Sequence, residues 1–389
     1  MCCELQTKSY LGYSLFGCLP CRGGNPFGVP SCLERDGKYF SVGSHHLYGT
    51  TMVRTMRKIL CLMFAVCLVF LSGCSSRPAE GQTWAYDTLC TATVWGGTDA
   101  SAVFSSAAAE GQKLLSEDGQ KQYTASYDGE TVPISPDLFK ILNQAGILYT
   151  LTDGVFDLTV APMSALWNVN TATQPPSNLA IQETLDLVKF SLLTFTESTL
   201  TFEKAGMGID IGSVGKGYGA DYTVTALKNA GATAGIISFG GNVALFGTKD
   251  GNPFRVGIRD PKGEASEYFG VVTATDTSIV TSGAYERYFE YTGTVYHHLL
   301  DATNGYPRKS DLLSVTVLCD DGAQADMMST ALWLMGSEKG WALYETLQKT
   351  EGFLPSEVIF VLEDHTVRVS DGIAEHFTLT SDEYTLKVR

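Results

Sequence analysis

The sequence predicts an α+β fold with mostly antiparallel strands. Three observations point there. Six short runs rich in β-branched and aromatic residues follow one another between Ile236 and Leu300, with no helical pattern between them. The helical patterns cluster before and after that block. No internal repeat or low-complexity stretch interrupts the chain. Runs of strands next to runs of helices favour α+β over a doubly wound sheet, in which the two alternate.

The elements read as follows. Trp84 to Trp95 has the pattern of one strand, and Ala100 to Leu115 that of a helix. Ser135-Pro136 opens a second helix, with Ser135 as N-cap and Pro136 as first helical residue. Residues 183–189 read as helix and 197–203 as strand. Gly212 to Ala230 reads as a turn running into a helix. The successive strands are I-I-S-F, V-A-L-F, F-R-V-G-I, F-G-V-V-T-A-T, S-I-V-T-S and V-Y-H-H-L-L. The run L-L-S-V-T-V-L-C reads as a further strand, followed by a helix containing Asp326. A helix over Gly340 to Leu347 and two closing strands, V-I-F-V-L and T-V-R-V-S, complete the chain.

The N-terminal region has its own logic. Arg54, Arg57 and Lys58 precede an unbroken apolar run from Ile59 to Leu71, then L-S-G-C ending at Cys74. That run is short for a bilayer span and suits a signal peptide. Small residues before a Cys resemble a bacterial lipobox, so Cys74 is expected to carry a lipid and begin the mature chain. The expected organisation is an upstream, disordered extension over 1–55, a signal peptide over 56–73, a polar tether over 74–83 and one domain over 84–389. The expected location is the extracytoplasmic face of a bacterial membrane.

Of ten Cys, only Cys90 and Cys319 follow Cys74, too few for a disulfide framework. Cys18 and Cys21 have redox-motif spacing but lie in the extension. The whole chain carries a formal charge of −15; residues 1–73 hold seven basic and three acidic side chains, leaving 20 basic against 39 acidic beyond them. Such a balance argues against nucleic acid as a partner, because phosphate backbones call for a basic face. An anionic substrate would then need local cations, most simply a metal ion.

Several stretches could carry chemistry. In A-Q-A-D-M-M-S-T-A-L-W, Asp326 and Thr330 stand four residues apart, which places them on one helix face. Ser329 is beside them. These hard oxygens suit Mg²⁺, yet an Asp near a helix start is often only an N-cap. Gly208 to Asp221 is glycine-dense and contains Asp210 and Lys216. It matches neither a Walker A loop nor a dinucleotide fingerprint in spacing. Its glycines allow close backbone approach, and a helix starting there offers N–H groups to a phosphate; a tight turn with one exposed Lys is the plainer alternative. G-V-F-D-L-T-V-A-P-M-S-A-L-W, from Gly154 to Trp167, could hold a flat ring or simply pack a core. Thr281 to Pro307 reads as a hairpin. Its neighbours His297 and His298 should point to opposite faces, and His45, His46, His365 and His376 lie in unrelated segments, so a three-His zinc site is not supported.

Taken in order, five motifs resemble those of the ApbE family of FAD:protein FMN transferases: G-V-F-D-x-T-V-x-P-x-x-x-L-W; D-I-G-S-V-G-K-G-Y-G-A-D; S-F-G-G-N-V before V-G-I-R-D-P; T-S-G-A-Y-E-R ahead of H-H-L-L-D-x-x-x-G-Y-P; and A-D-M-M-S-T-A-L. The resemblance runs from about Tyr86 to about Leu347. It implies Mg²⁺-dependent transfer of FMN from FAD to a Thr hydroxyl of an acceptor flavoprotein, forming a phosphoester and releasing AMP. It implies Asp326, Thr330 and the Ser213 carbonyl as metal ligands, with Ser329 as a further candidate. Val155, Phe156, Asp157, Asp210 and Lys216 would contact FAD, Leu89 and Leu300 would line its site, and His298 would be an acid/base or phosphate contact. The family's Ser-rich segment is barely visible around Gln120. Two other readings follow from the same site: an FAD pyrophosphatase giving FMN and AMP, and a non-catalytic flavin-binding lipoprotein.

Overall fold

The computed structural model describes residues 77–115, 122–264 and 266–389. The signal peptide, Cys74, the Cys18–Cys21 pair and Gln120 lie outside them. The main element is a nine-stranded sheet whose strands lie side by side in chain order. They are β1 (Ala79–Ala85), β2 (Thr88–Gly96), β3 (Ala232–Phe239), β4 (Asn242–Phe246), β5 (Ser278–Gly283), β6 (Leu312–Cys319), β7 (Ser356–Leu362), β8 (Thr366–Val369) and β9 (Thr385–Val388). Every pair is antiparallel except β8 with β9, which is parallel. Helices α1 (Ala100–Leu114), α2 (Pro136–Leu151), α3 (Ala161–Trp167), α4 (Asn178–Leu185) and α5 (Gly215–Asn229) all fall between β2 and β3. Helices α6 (Gly322–Met335) and α7 (Ser337–Leu347) fall between β6 and β7. The mixed, grouped α+β organisation read from the sequence is the one observed.

Strand β6 shows why the sheet is central. Its side chains alternate between two cores, as strand geometry requires. Val315, Val317 and Cys319 pack in the cluster that contains Leu332 and Trp333 of α6. Leu318 packs on the opposite face with Phe254 and Phe269, which come from a small sheet over Phe254–Arg259, Tyr268–Ala274 and Phe377–Leu379. A strand covered on both faces reads as an almost continuous apolar run. Cys90 and Cys319 are both buried free thiols.

Several boundaries differ from the sequence reading. The expected single strand from Trp84 to Trp95 is a hairpin, β1 and β2, turned by Tyr86 and Asp87 at φ 53° and 55°. Two successive left-handed residues make the hairpin turn that matches strand twist. Strand β1 starts at Ala79, inside the stretch read as tether. Helix α4 ends at Leu185 rather than covering 183–189; Ser177 caps it by accepting from Ala180 N at 3.2 Å. Ser135 caps α2 as expected, accepting from Leu138 N at 3.1 Å. The run V-Y-H-H-L-L breaks after His297, because Leu300–Asp301 pairs with Tyr306–Pro307 instead. Strand Phe377–Leu379 and β9 had no clear pattern in the sequence.

Candidate active site

The site is built where α5 meets α6. Helix α6 starts with an ordinary cap: Asp321 accepts from Gln324 N at 2.8 Å. Asp326 is therefore not the cap of its own helix. It lies more than a turn further on and is 2% exposed. Helix α5 has no side-chain cap of its own. The N–H of Gly217, its third residue, instead donates to Asp326 Oδ2 at 3.0 Å. That is the N–H an N-cap side chain would normally satisfy. Asp326 thus caps the neighbouring helix, and its negative charge sits at that helix's positive end.

The glycine run makes this meeting possible. A Cβ on Gly217 would lie 1.9 Å from the Gly322 carbonyl oxygen. A Cβ on Gly219 would lie 2.5 Å from the ring of Tyr86. The glycines let α5 pass close to α6 on one side and to Tyr86 on the other. Their spacing of two places alternate residues on opposed faces of the first turns.

Lys216 Nζ sits 3.5 Å from Asp326 Oδ1 and 3.5 Å from the Gly212 carbonyl. A committed charge-assisted bond would be near 2.8 Å, so Oδ1 keeps acceptor capacity. Asp210 is buried, caps the turn before α5 and accepts from Gly212 N at 2.8 Å.

These groups border a cavity of about 380 Å³. Its polar side carries Ser213, Lys216, Thr281, Ser282, Glu286, Arg287, His298 and Thr330, with Asp87 and Asp210. Its apolar side carries Phe156, Val160, Trp167, Leu300 and Leu334. Trp167 is fixed there by its Nε1–H to the Gly305 carbonyl, 2.7 Å, and by stacking on Tyr296 at 5.5 Å. Of the residues singled out in the sequence, Phe156, Asp157, Asp210, Ser213, Lys216, His298, Leu300 and Thr330 line the cavity.

The other candidates do not reach it. Asp326 stands directly behind Lys216. Ser329 is wholly buried, donating to the Asp326 carbonyl at 2.9 Å. Val155 is buried beside the cavity and accepts from Ala302 N. Leu89 is 50% exposed on β2 and pairs across the hairpin with Trp84. Asp157 lines the cavity, but both its oxygens are used: Oδ1 accepts from Thr159 N and Oγ1, each at 2.7 Å, and Oδ2 from Phe190 N at 2.9 Å. Burial pushes its carboxyl up to about 6, against those bonds.

The two adjacent histidines part. His297 packs edge-on against Trp333 at 5.3 Å. His298 turns to the cavity. Its main-chain N–H and its Nδ1–H both donate to the Arg287 carbonyl at 3.2 Å. A carbonyl can only accept, so Nδ1 carries the proton and Nε2 keeps its lone pair. Burial, then the positive Arg287, lowers the imidazole to about 3. His298 is neutral at physiological pH.

Glu286 is open to the cavity yet recessed in the protein. Desolvation raises its carboxyl above the usual range, while Lys216 and Arg287 pull it down. Asp87, Thr281, Ser282, Glu286 and Arg287 were not singled out from the sequence. Four of them belong to the T-S-G-A-Y-E-R motif, which held the signal. Asp87 depends on a turn without the Asn-Gly signature that marks such hairpins.

Among the described residues no group of three or more His, Cys, Asp or Glu could hold a metal. One buried carboxylate with an uncommitted oxygen, a cavity-lining hydroxyl at Thr330 and the main chain at Ser213 make a donor set of hard oxygens. Such a set fits Mg²⁺, which retains water and substrate oxygens for the rest of its shell.

An α+β frame with a cavity whose hydroxyl-rich side carries Lys216 and Arg287 and whose other side is an aromatic wall suits a phosphorylated, ring-bearing ligand. The comparisons make this specific: the ApbE family model matches residues 86–354, and the chain belongs to that family. It is 30% identical over 273 residues to a Treponema pallidum protein named FAD:protein FMN transferase, covering 66% of this chain and 74% of that protein. A Klebsiella pneumoniae protein of the same name is 31% identical over 242 residues, covering 61% and 73%. The flavinyl transferase ApbE of Pseudomonas stutzeri, in its apo form, superposes with a TM-score of 0.64 at 24% identity, covering 78% of this chain and 98% of that one. The ApbE protein of Thermotoga maritima gives 0.63 at 26% identity, covering 77% and 99%.

Proposed function

We infer that this member of the ApbE family is an FAD:protein FMN transferase, and we propose that it works with Mg²⁺ on a Thr hydroxyl of an acceptor flavoprotein. The observation that carries the reading is the gathering of Lys216, Arg287, His298 and Thr330 on one cavity, with the Asp326 carboxylate directly behind. Phe156, Trp167 and Leu300 form a wall suited to a flat ring. Lys216 and Arg287 place positive charge where a diphosphate would lie. Preorganised charge of this kind favours a transition state in which phosphate charge shifts to a leaving group.

Asp326, Thr330 and the Ser213 carbonyl would hold the Mg²⁺, which supplies Lewis-acid neutralisation of phosphate oxygens. The acceptor Thr oxygen forms the new bond to the FMN-side phosphorus. The bond from that phosphorus to the bridging oxygen breaks, and AMP departs with that oxygen. The hydroxyl proton passes to His298 Nε2, whose lone pair the Nδ1–H bond to Arg287 keeps available. A Thr hydroxyl is a weak nucleophile without such a base. Phosphate charge beside Arg287 and Lys216 offsets their part in lowering the imidazole, while burial, the larger cause, is unaffected.

The same reading places the enzyme on the extracytoplasmic face of the membrane, held by a lipid on Cys74; the lipobox-like sequence supports it. The test is mass spectrometry of an acceptor after incubation with FAD, Mg²⁺ and the enzyme. Gain of one FMN on a Thr, with equimolar AMP, is expected. Rapid AMP release with an unmodified acceptor would mean FAD pyrophosphatase activity instead.

A further inference from the structure

Three hydroxyls running back from the cavity wall form a chain whose proton directions can be deduced. Ser329 Oγ lies 2.9 Å from the Asp326 carbonyl oxygen, which can only accept. The single Ser329 proton is therefore committed there. Ser282 Oγ, on β5, lies 2.8 Å from Ser329 Oγ. With the Ser329 proton used, Ser282 must be the donor in that bond. Ser282 Oγ also lies 3.2 Å from Thr330 Oγ1. With the Ser282 proton used, Thr330 must donate to Ser282. The order is Thr330 to Ser282 to Ser329 to the Asp326 carbonyl. It begins at the Thr330 hydroxyl and ends at the main-chain carbonyl of Asp326, the residue whose carboxylate is the other side-chain ligand assigned above. Ser329 is wholly buried, so water does not readily replace a partner lost there.

We propose that Ser282 is a positioning residue for the metal ion: its hydroxyl accepts the hydrogen bond from the Thr330 O–H, so that the Thr330 oxygen presents lone pairs to the cavity. The proposal rests on the Mg²⁺ site of the previous section. A hydroxyl whose proton faces a cation repels it; one whose proton is held elsewhere can ligate. The β5 strand thereby sets the electronic orientation of a ligand carried by α6. Partners one shell out from a metal commonly change its affinity by roughly 10–100-fold. Ser329 acts one step further along. Without it, Ser282 is free to donate to Thr330 and reverse that bond.

The test is Mn²⁺ binding to the full chain in the absence of FAD, read by electron paramagnetic resonance, with Mn²⁺ as a paramagnetic stand-in for Mg²⁺. Ser282→Ala should weaken binding roughly tenfold or more, and Ser329→Ala should weaken it by a smaller factor. Circular dichroism should show both variants folded. Asp326→Asn is the control for the site itself. If Asp326→Asn weakens Mn²⁺ binding while both serine variants bind as the parent does, the hydroxyl chain is irrelevant and the proposal falls. If Asp326→Asn binds as the parent does, the metal site is elsewhere and the underlying reading falls with it.

Discussion

The two helices that meet at the site begin in opposite ways. Helix α6 carries its own cap, Asp321, whose Oδ2 also pairs with Lys140 Nζ at 2.6 Å. Helix α5 has none and borrows Asp326 from α6. A self-capped helix can be placed anywhere its apolar face fits. A helix capped by its neighbour is tied to that neighbour at one register. Here the tie puts Lys216 against Asp326, so the contact that completes the secondary structure also sets Lys216 in the cavity wall.

The comparison can be broken in order of expected effect. Gly217→Ala should be the most damaging, since its Cβ would meet the Gly322 backbone at 1.9 Å. A loss of roughly 3 kcal/mol or more in urea denaturation is expected, with activity lost alongside. Asp326→Asn should separate the two roles of that side chain. Asn caps about as well as Asp, so stability should change by less than about 1 kcal/mol, while the turnover number should drop roughly a hundredfold or more. Asp321→Ala should do the reverse, costing about 1 kcal/mol of stability with the transfer rate unchanged.

The smallest effect concerns pH. His298 titrates near 6.5 when unfolded and at about 3 in the fold. The unfolded chain takes the proton first, so the native state loses stability as pH falls from 6.5 toward 3, and nothing is lost above that window. His298→Asn should remove this component. Its stability should fall less than the parent's between pH 7 and 5, by on the order of 1 kcal/mol in parallel thermal or urea melts. His297, lowered by burial to about 4, contributes equally to both proteins and cancels. Asp157 and Asp221, raised by desolvation to about 6 and about 7, act in the opposite sense and also cancel in the difference.

What could be read in advance follows the range of the interactions. The Asp326–Thr330 spacing, the Ser135-Pro136 helix start and most of the strand runs are local patterns, and these were legible. The reason for the glycines was not. Gly217 is small because Gly322, 105 positions later, lies against it, and no local pattern shows a partner helix. For the same reason Asp326 seemed to be either a cap or a ligand, when the cap it makes belongs to another helix. Ser282 was equally hidden, because its partners Ser329 and Thr330 are on a different element. The hairpin turn at Tyr86-Asp87 lacked a sequence signature, and with it went the cavity-lining Asp87.

The Asp326 carboxylate caps α5, and it is proposed to serve the reaction as a metal ligand as well. The most direct test is FMN transfer by Asp326→Asn, measured by acceptor mass at rising Mg²⁺, on protein shown by its melting curve to be folded. A melting temperature close to the parent's and no flavinylated acceptor at Mg²⁺ concentrations that saturate the parent are expected. Parent-like flavinylation at the parent's Mg²⁺ dependence would contradict it.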